Sequence, residues 1–123
     1  MVFWGTRTAV YLNSRMDSDV IEREGVEIGL VSECRLAHAD SEHTKGINLY
    51  LDLGDDTESV QVKWEMTVWD GDAHEILARK ADFEHNFCAP YVYQGADFNH
   101  PAIFQQSYIT VLITITDWNV INK

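Results

Sequence analysis

The feature that most constrains this chain is a period-two alternation of apolar and polar residues, repeated in several segments. The clearest example is 60–68, in which every second residue is apolar. The same alternation runs through 26–36, 47–53 and 109–116. Because successive side chains of a β-strand point to opposite faces, each of these segments predicts a strand with one buried face.

Four strands with one apolar face each must bury those faces against a covering layer. A helix is a poor candidate for that layer, since 15–24 is the only helix-like segment and its pattern is short and weak. The remaining solution is sheet against sheet. We therefore predict an all-β fold, an antiparallel β-sandwich.

Turn residues between the alternating segments support this prediction. Leu53-Gly54-Asp55-Asp56-Thr57 connects two strands, and Asp70-Gly71 predicts a hairpin whose return strand is 76–84. The segment 3–12 predicts the first strand. Both prolines fall in 86–101, which we interpret as a long surface loop with a short strand near 91–94.

Length and charge restrict the domain organisation and the partners. The 123 residues predict a single domain, 1–123. The net charge of −11 disfavours nucleic acid and anionic membranes as partners, because both attract basic surfaces. It is compatible with a partner that carries Lys or Arg near its contact segment, or with solubility alone.

The sequence also suggests a compartment. We find no signal-peptide pattern at the start and no apolar run approaching 18 residues. The two cysteines, Cys34 and Cys88, are too few for a typical disulfide framework. The expectation is a cytoplasmic or nuclear protein.

The order of the segments resembles the meprin-and-TRAF-homology (MATH, or TRAF-like) family. Shared features are a glycine that opens an alternating strand, a Leu-x-Leu-Tyr-Leu-like strand, a second alternating strand, a Gly-x-Asp-aromatic segment and an apolar closing strand. The segments that carry the resemblance are 25–31 (GVEIGLV), 46–53 (GINLYLDL), 60–69 (VQVKWEMTVW), 94–98 (QGADF) with Ile103-Phe104, and 108–115 (YITVLITI).

The resemblance implies an antiparallel sandwich of about eight strands that holds an extended peptide in a shallow groove at one sheet edge. By this resemblance, the groove residues of the family correspond to Tyr50, Trp64, Asp97 and Phe98. The family has tryptophan at the position of Phe98. The function it implies is non-enzymatic binding of a partner protein, with an adaptor role.

Each of these residues also has an interpretation from the sequence alone. Tyr50 lies on the polar side of its strand, where it can contact a peptide or pack across strands. Trp64 lies on the apolar side, which favours the core over a groove. Asp97 can accept hydrogen bonds from a peptide or cap the turn after Gly95.

Three aromatic residues fall in or next to the predicted loop, namely Tyr91, Tyr93 and Phe98. Aromatic side chains on loops are effective contact anchors, and they can equally plug the end of a sandwich. We add Tyr91 and Tyr93 to the predicted peptide-binding residues.

Two other function classes stay open. The acidic groups Asp52-Asp55-Asp56 and Asp70-Asp72-Glu75 have ligands suited to calcium, as in a jelly-roll domain that binds calcium or carbohydrate. A sheet edge can also serve self-assembly into a homo-oligomer.

Zinc and catalysis are less well supported. Cys34, His38 and His43 lack a fourth ligand for zinc. Cys88 near His85 is the nearest pair of a nucleophile and a base, and its surroundings are acidic. We expect no enzyme activity and no cofactor.

Overall fold

A computed structural model describes residues 4–11, 16–17, 21–36, 43–72, 74–88, 92–98, 101–105 and 108–123. Seven of its strands have seven or more residues, two are very short, and one helical turn completes the set. The elements are β1 (Trp4–Tyr11), β2 (Met16–Asp17), β3 (Ile21–Arg23), β4 (Val26–Leu36), β5 (His43–Asp52), β6 (Thr57–Trp69), β7 (Ile76–Phe87), β8 (Val92–Phe98), α1 (Pro101–Phe104) and β9 (Tyr108–Asn122).

These strands form two antiparallel sheets. The four-stranded sheet has the order β1-β9-β6-β7. The five-stranded sheet has the order β2-β4-β5-β8, with β3 also paired to β4. Strands β6, β4 and β5 are interior, which agrees with their clear apolar alternation.

The two sheets are held together by one apolar cluster to which both contribute. The five-stranded sheet supplies Ile28 and Leu49, and the four-stranded sheet supplies Met66 and Ile113, all of them fully buried. Burial of one such side chain contributes roughly 1.5–3 kcal/mol. The cluster confirms the predicted all-β fold of two facing antiparallel sheets.

Two predicted boundaries were wrong. The predicted loop 86–101 contains the end of β7 and all of β8. Strand β8 overlaps the short strand expected near 91–94 and continues to Phe98. Its length was underestimated because its residues on the core side include Gln94 and Ala96, so it lacks the apolar alternation of an interior strand. The weak helix candidate 15–24 contains the short strands β2 and β3 instead.

Strand β7 lies at the edge of the four-stranded sheet and is irregular. Ala81 and Asp82 together lie opposite Glu65 of β6, which makes a β-bulge, and Asp82 has a φ of 62°. A second register shift falls at Leu77. Bulges and charged residues are common protections of an edge strand against unwanted pairing.

Gly95 is required by a close approach of β8 to β5. It pairs with Asn48, and a Cβ atom at this position would lie 2.1 Å from the backbone oxygen of Ile47. A Cβ atom therefore cannot be accommodated unless the two strands separate.

We expect Gly95→Ala to lower the free energy of unfolding by about 1–3 kcal/mol, because overpacking forces the β5 and β8 backbones apart. Urea unfolding followed by tryptophan fluorescence measures the change. Gln94→Ala, at an exposed neighbouring position of the same strand, is the control and should change it by less than about 0.5 kcal/mol. Equal stability of the two variants would contradict the close packing.

The edge strand β8 as a candidate peptide-binding site

Strand β8 ends its sheet. Among the described strands it pairs only with β5, over seven register positions from Lys45↔Phe98 to Leu51↔Val92. An edge strand presents a row of backbone N–H and C=O groups on its outer side. Unlike β7, β8 has no register shift in its pairing, so its backbone is regular enough to accept another strand.

Three of the predicted site residues come together around this edge. Tyr50 lies on the solvent side of β5 and is half-buried. Its register partners are Gly29 on one side and Tyr93 of β8 on the other. Asp97 lies four residues further along β8 and is exposed. The solvent side of the five-stranded sheet, which we call the outer face, therefore has Tyr50 and Asp97 at or near its β8 edge, and Tyr93 is the β8 residue paired with Tyr50.

Two predicted site residues do not face solvent, and for these the predicted role was wrong. Trp64 is 2% exposed and Phe98 is 3% exposed, and both belong to the core cluster. Trp64 lies in the other sheet, where its ring stacks on Phe83 at a centroid distance of 5.3 Å. A peptide on the surface cannot contact either side chain. Tyr91 lies outside the described residues.

Phe98 was misassigned because 86–101 was predicted to be a loop. As the last residue of β8, it lies opposite Lys45 on the core side of the sheet. Trp64 follows the apolar alternation of β6, so the sequence itself favoured the core for this residue.

Lys80 connects the two sheets at this edge, and no sequence pattern predicted this role. Its Nζ atom donates a hydrogen bond to the backbone oxygen of Asp97, at 2.9 Å. The same ammonium group lies 4.9 Å from the centre of the Phe98 ring, a cation–π distance. Lys80 belongs to β7, so the contact joins the edge strands of both sheets.

The outer face of the five-stranded sheet is strongly acidic. Glu22, Glu27 and Asp52 lie side by side in register on β3, β4 and β5. Like charges directly opposite each other destabilise a sheet, so folding alone does not explain this row.

The outer face of the four-stranded sheet carries both signs of charge. Arg79 pairs with Glu65 at 3.2 Å. Lys63 lies in register between Glu84 and Asp117. The excess negative charge is therefore distributed unevenly between the two outer faces, which net charge alone does not reveal.

The acidic turns have structural roles of their own. The backbone N–H of His74 donates to Oδ1 of Asp70 at 2.9 Å, and the N–H of Asp70 donates to the oxygen of Glu75 at 3.0 Å. These bonds close the hairpin between β6 and β7. Within the described ranges, no three His, Cys, Asp or Glu side chains are grouped so that they could hold a metal ion.

The remaining sequence candidates do not form a site in the described part of the chain. Cys88 is an exposed free thiol, and the ring of His85 packs edge-on against Phe87 at 4.8 Å. Of the zinc candidates, His38 lies outside the described residues, whereas Cys34 and His43 belong to β4 and β5.

Comparison with known proteins leaves the family open. No protein-family model matches the chain, and no curated protein is significantly similar to it. In the described residues, no helix has the length and apolar character needed to cross a membrane.

We expect Trp64→Ala to lower the free energy of unfolding by about 3–5 kcal/mol, because it leaves a large cavity beside Phe83 and Phe87. No described residue accepts a hydrogen bond from the buried Trp64 Nε1. Trp64→Phe keeps an aromatic ring and removes that unsatisfied group, so it should lower the free energy of unfolding clearly less than Trp64→Ala. Chemical denaturation measures both variants, and a small loss in Trp64→Ala would contradict the core assignment.

We expect Lys80→Met to lower the free energy of unfolding by about 1 kcal/mol, because it removes the bond to Asp97 and the contact with Phe98. Hydrogen exchange should also become faster in β8. Lys80→Arg keeps the charge and is the control. Unchanged stability and exchange in Lys80→Met would show that this contact does not hold the edge.

Proposed function

We propose that this domain is a non-enzymatic protein-interaction module that binds a short extended segment of a partner protein as an additional strand on β8. The observation that carries the proposal is the position of β8 at the end of its sheet, with regular pairing to β5 only among the described strands. Addition of a strand to an exposed edge is a common way of recognising peptides.

The architecture supports this proposal. Seven strands of seven or more residues form the two antiparallel sheets, and the resemblance to the MATH family implies about eight. The segment 94–98, which contributes to that resemblance, lies within the edge strand β8.

Side chains near β8 suggest how a bound segment is recognised. Backbone hydrogen bonds supply affinity without selecting a sequence, and side chains on alternate positions supply the selection. On the outer face, the half-buried Tyr50 has Gly29 of β4 and Tyr93 of β8 as its register partners. Tyr50 lies one strand in from the edge, so a bound segment would contact its ring across the β8 backbone.

Among the edges of the sandwich, β8 is favoured over β7 as the acceptor. Strand β7 contains two register shifts and a residue with positive φ, and both features disturb a new ladder of hydrogen bonds. The residues that the sequence predicted for peptide contact, Tyr50, Tyr93 and Asp97, lie beside β8 and not beside β7. An exposed edge of this kind should bind single segments with micromolar affinity.

We expect peptides selected from a displayed random library to shift the backbone amide resonances of β8 more than those of β1 or β7. Tyr50→Ala should weaken binding at least tenfold while the melting temperature stays close to that of the unmodified protein. Isothermal titration calorimetry and a thermal melt measure the two effects.

Tyr108→Ala is the matched control, because Tyr108 is also half-buried but lies in the four-stranded sheet. Its affinity for the selected peptides should stay within about twofold of the unmodified protein. If peptide shifts fall on the four-stranded sheet, or if Tyr50→Ala binds normally, the site on β8 is refuted.

A further inference from the structure

We infer that the segment bound by β8 carries Lys or Arg at every second position, with those side chains on the outer face of the five-stranded sheet. This inference rests on the proposed function and defines the chemistry of its partner. A general attraction of the acidic chain for cations would not require any spacing of the basic residues.

The charges at the register positions of the outer face are the first support. Among the side chains that the structure describes, those with a charge at these positions are all acidic, namely Glu22, Glu27, Glu33, Asp52 and Asp97. The described part of this face therefore favours cationic side chains.

Asp97 is the acidic residue nearest to an added strand. It is exposed and lies on β8 itself, so an added strand would run about 4.8 Å away. Asp52 lies on β5, one residue beyond the last described pair of β5 and β8, Leu51↔Val92, and about twice as far from that strand in the direction across the sheet. This separation is close to the screening length of physiological salt, about 8 Å. Asp97 therefore makes the direct contact, and the other acids add a weaker attraction.

Gly95 carries no side chain on the outer face, and the place where its Cβ atom would lie is already filled by the backbone of Ile47 and by Asn48, its register partner. A side chain of the added strand opposite Gly95 therefore meets no β8 side chain at that position. Side chains opposite Gly95 and Asp97 point to the same face, since these residues are two apart in one strand.

On the core side of the added strand, Lys80 selects against basic side chains. Its ammonium group lies 2.9 Å from the backbone oxygen of Asp97 and faces the ring of the buried Phe98. A basic side chain directed to this side would approach the Lys80 charge. Intervening positions of the segment should therefore be uncharged or acidic, which makes the basic pattern alternate.

Two synthetic peptides of identical composition test the spacing. One alternates Lys with Thr and Val, and the other has its lysines in one continuous block. Fluorescence anisotropy at low and at physiological salt should show at least tenfold tighter binding of the alternating peptide. Equal affinity of the two peptides would overturn the inference, because it would show attraction by net charge only.

Charge reversal tests the face. Asp97→Lys should weaken binding of the alternating peptide at least tenfold. Asp97→Asn should weaken this binding by a smaller factor. Glu84→Lys makes the same change of charge at an exposed position of the four-stranded sheet. Its affinity for the alternating peptide should stay within about twofold of that of the unmodified protein. An equal loss in Glu84→Lys and Asp97→Lys would overturn the inference.

A third peptide separates this inference from the proposed function. It alternates Glu with Thr and Val, and amide shifts of β8 report its binding. If the acidic peptide binds to β8 more tightly than the basic one, the proposed function stands and the basic partner is refuted. If neither peptide shifts the β8 amides, both the strand addition and the inference built on it are refuted.

Discussion

Burial of two one-sided sheets against each other is the constraint on which the rest of this structure depends. Each interior strand has one apolar face, and no described helix is long enough to cover a sheet. The two sheets must therefore cover each other. Trp64 shows the consequence, because its large ring is almost completely buried between them and stacks on Phe83. The same burial removes Trp64 and Phe98 from the surface.

An open sandwich has edges, and the edges of this one differ. Strand β7 is irregular, with a bulge at Ala81 and Asp82, whereas β8 is paired without a register shift. Lys80 connects these two edges through the backbone oxygen of Asp97. The proposed site is on the regular edge, and the irregular edge lies beside it. The location of the proposed site follows from this asymmetry.

The distribution of charge gives that site its chemical character. The outer face of the four-stranded sheet mixes both signs, as the pair of Arg79 and Glu65 shows. The opposite face brings Glu22, Glu27 and Asp52 into one register row. Carboxylates in such a row gain from a cationic partner, because it relieves their mutual repulsion.

The all-β class, the four alternating strands and the core position of residues such as Val62 and Met66 follow from the sequence alone, because period-two alternation is a local property of a chain. The sequence also marked Tyr50 as a residue on a polar face. Three features could be recognised only from the arrangement of the two sheets. Strand β8 lies at an edge, Phe98 is buried, and Lys80 reaches Asp97 from the other sheet. These features depend on which strands become neighbours, and pairing between residues distant in the chain leaves no periodic signal in either strand alone.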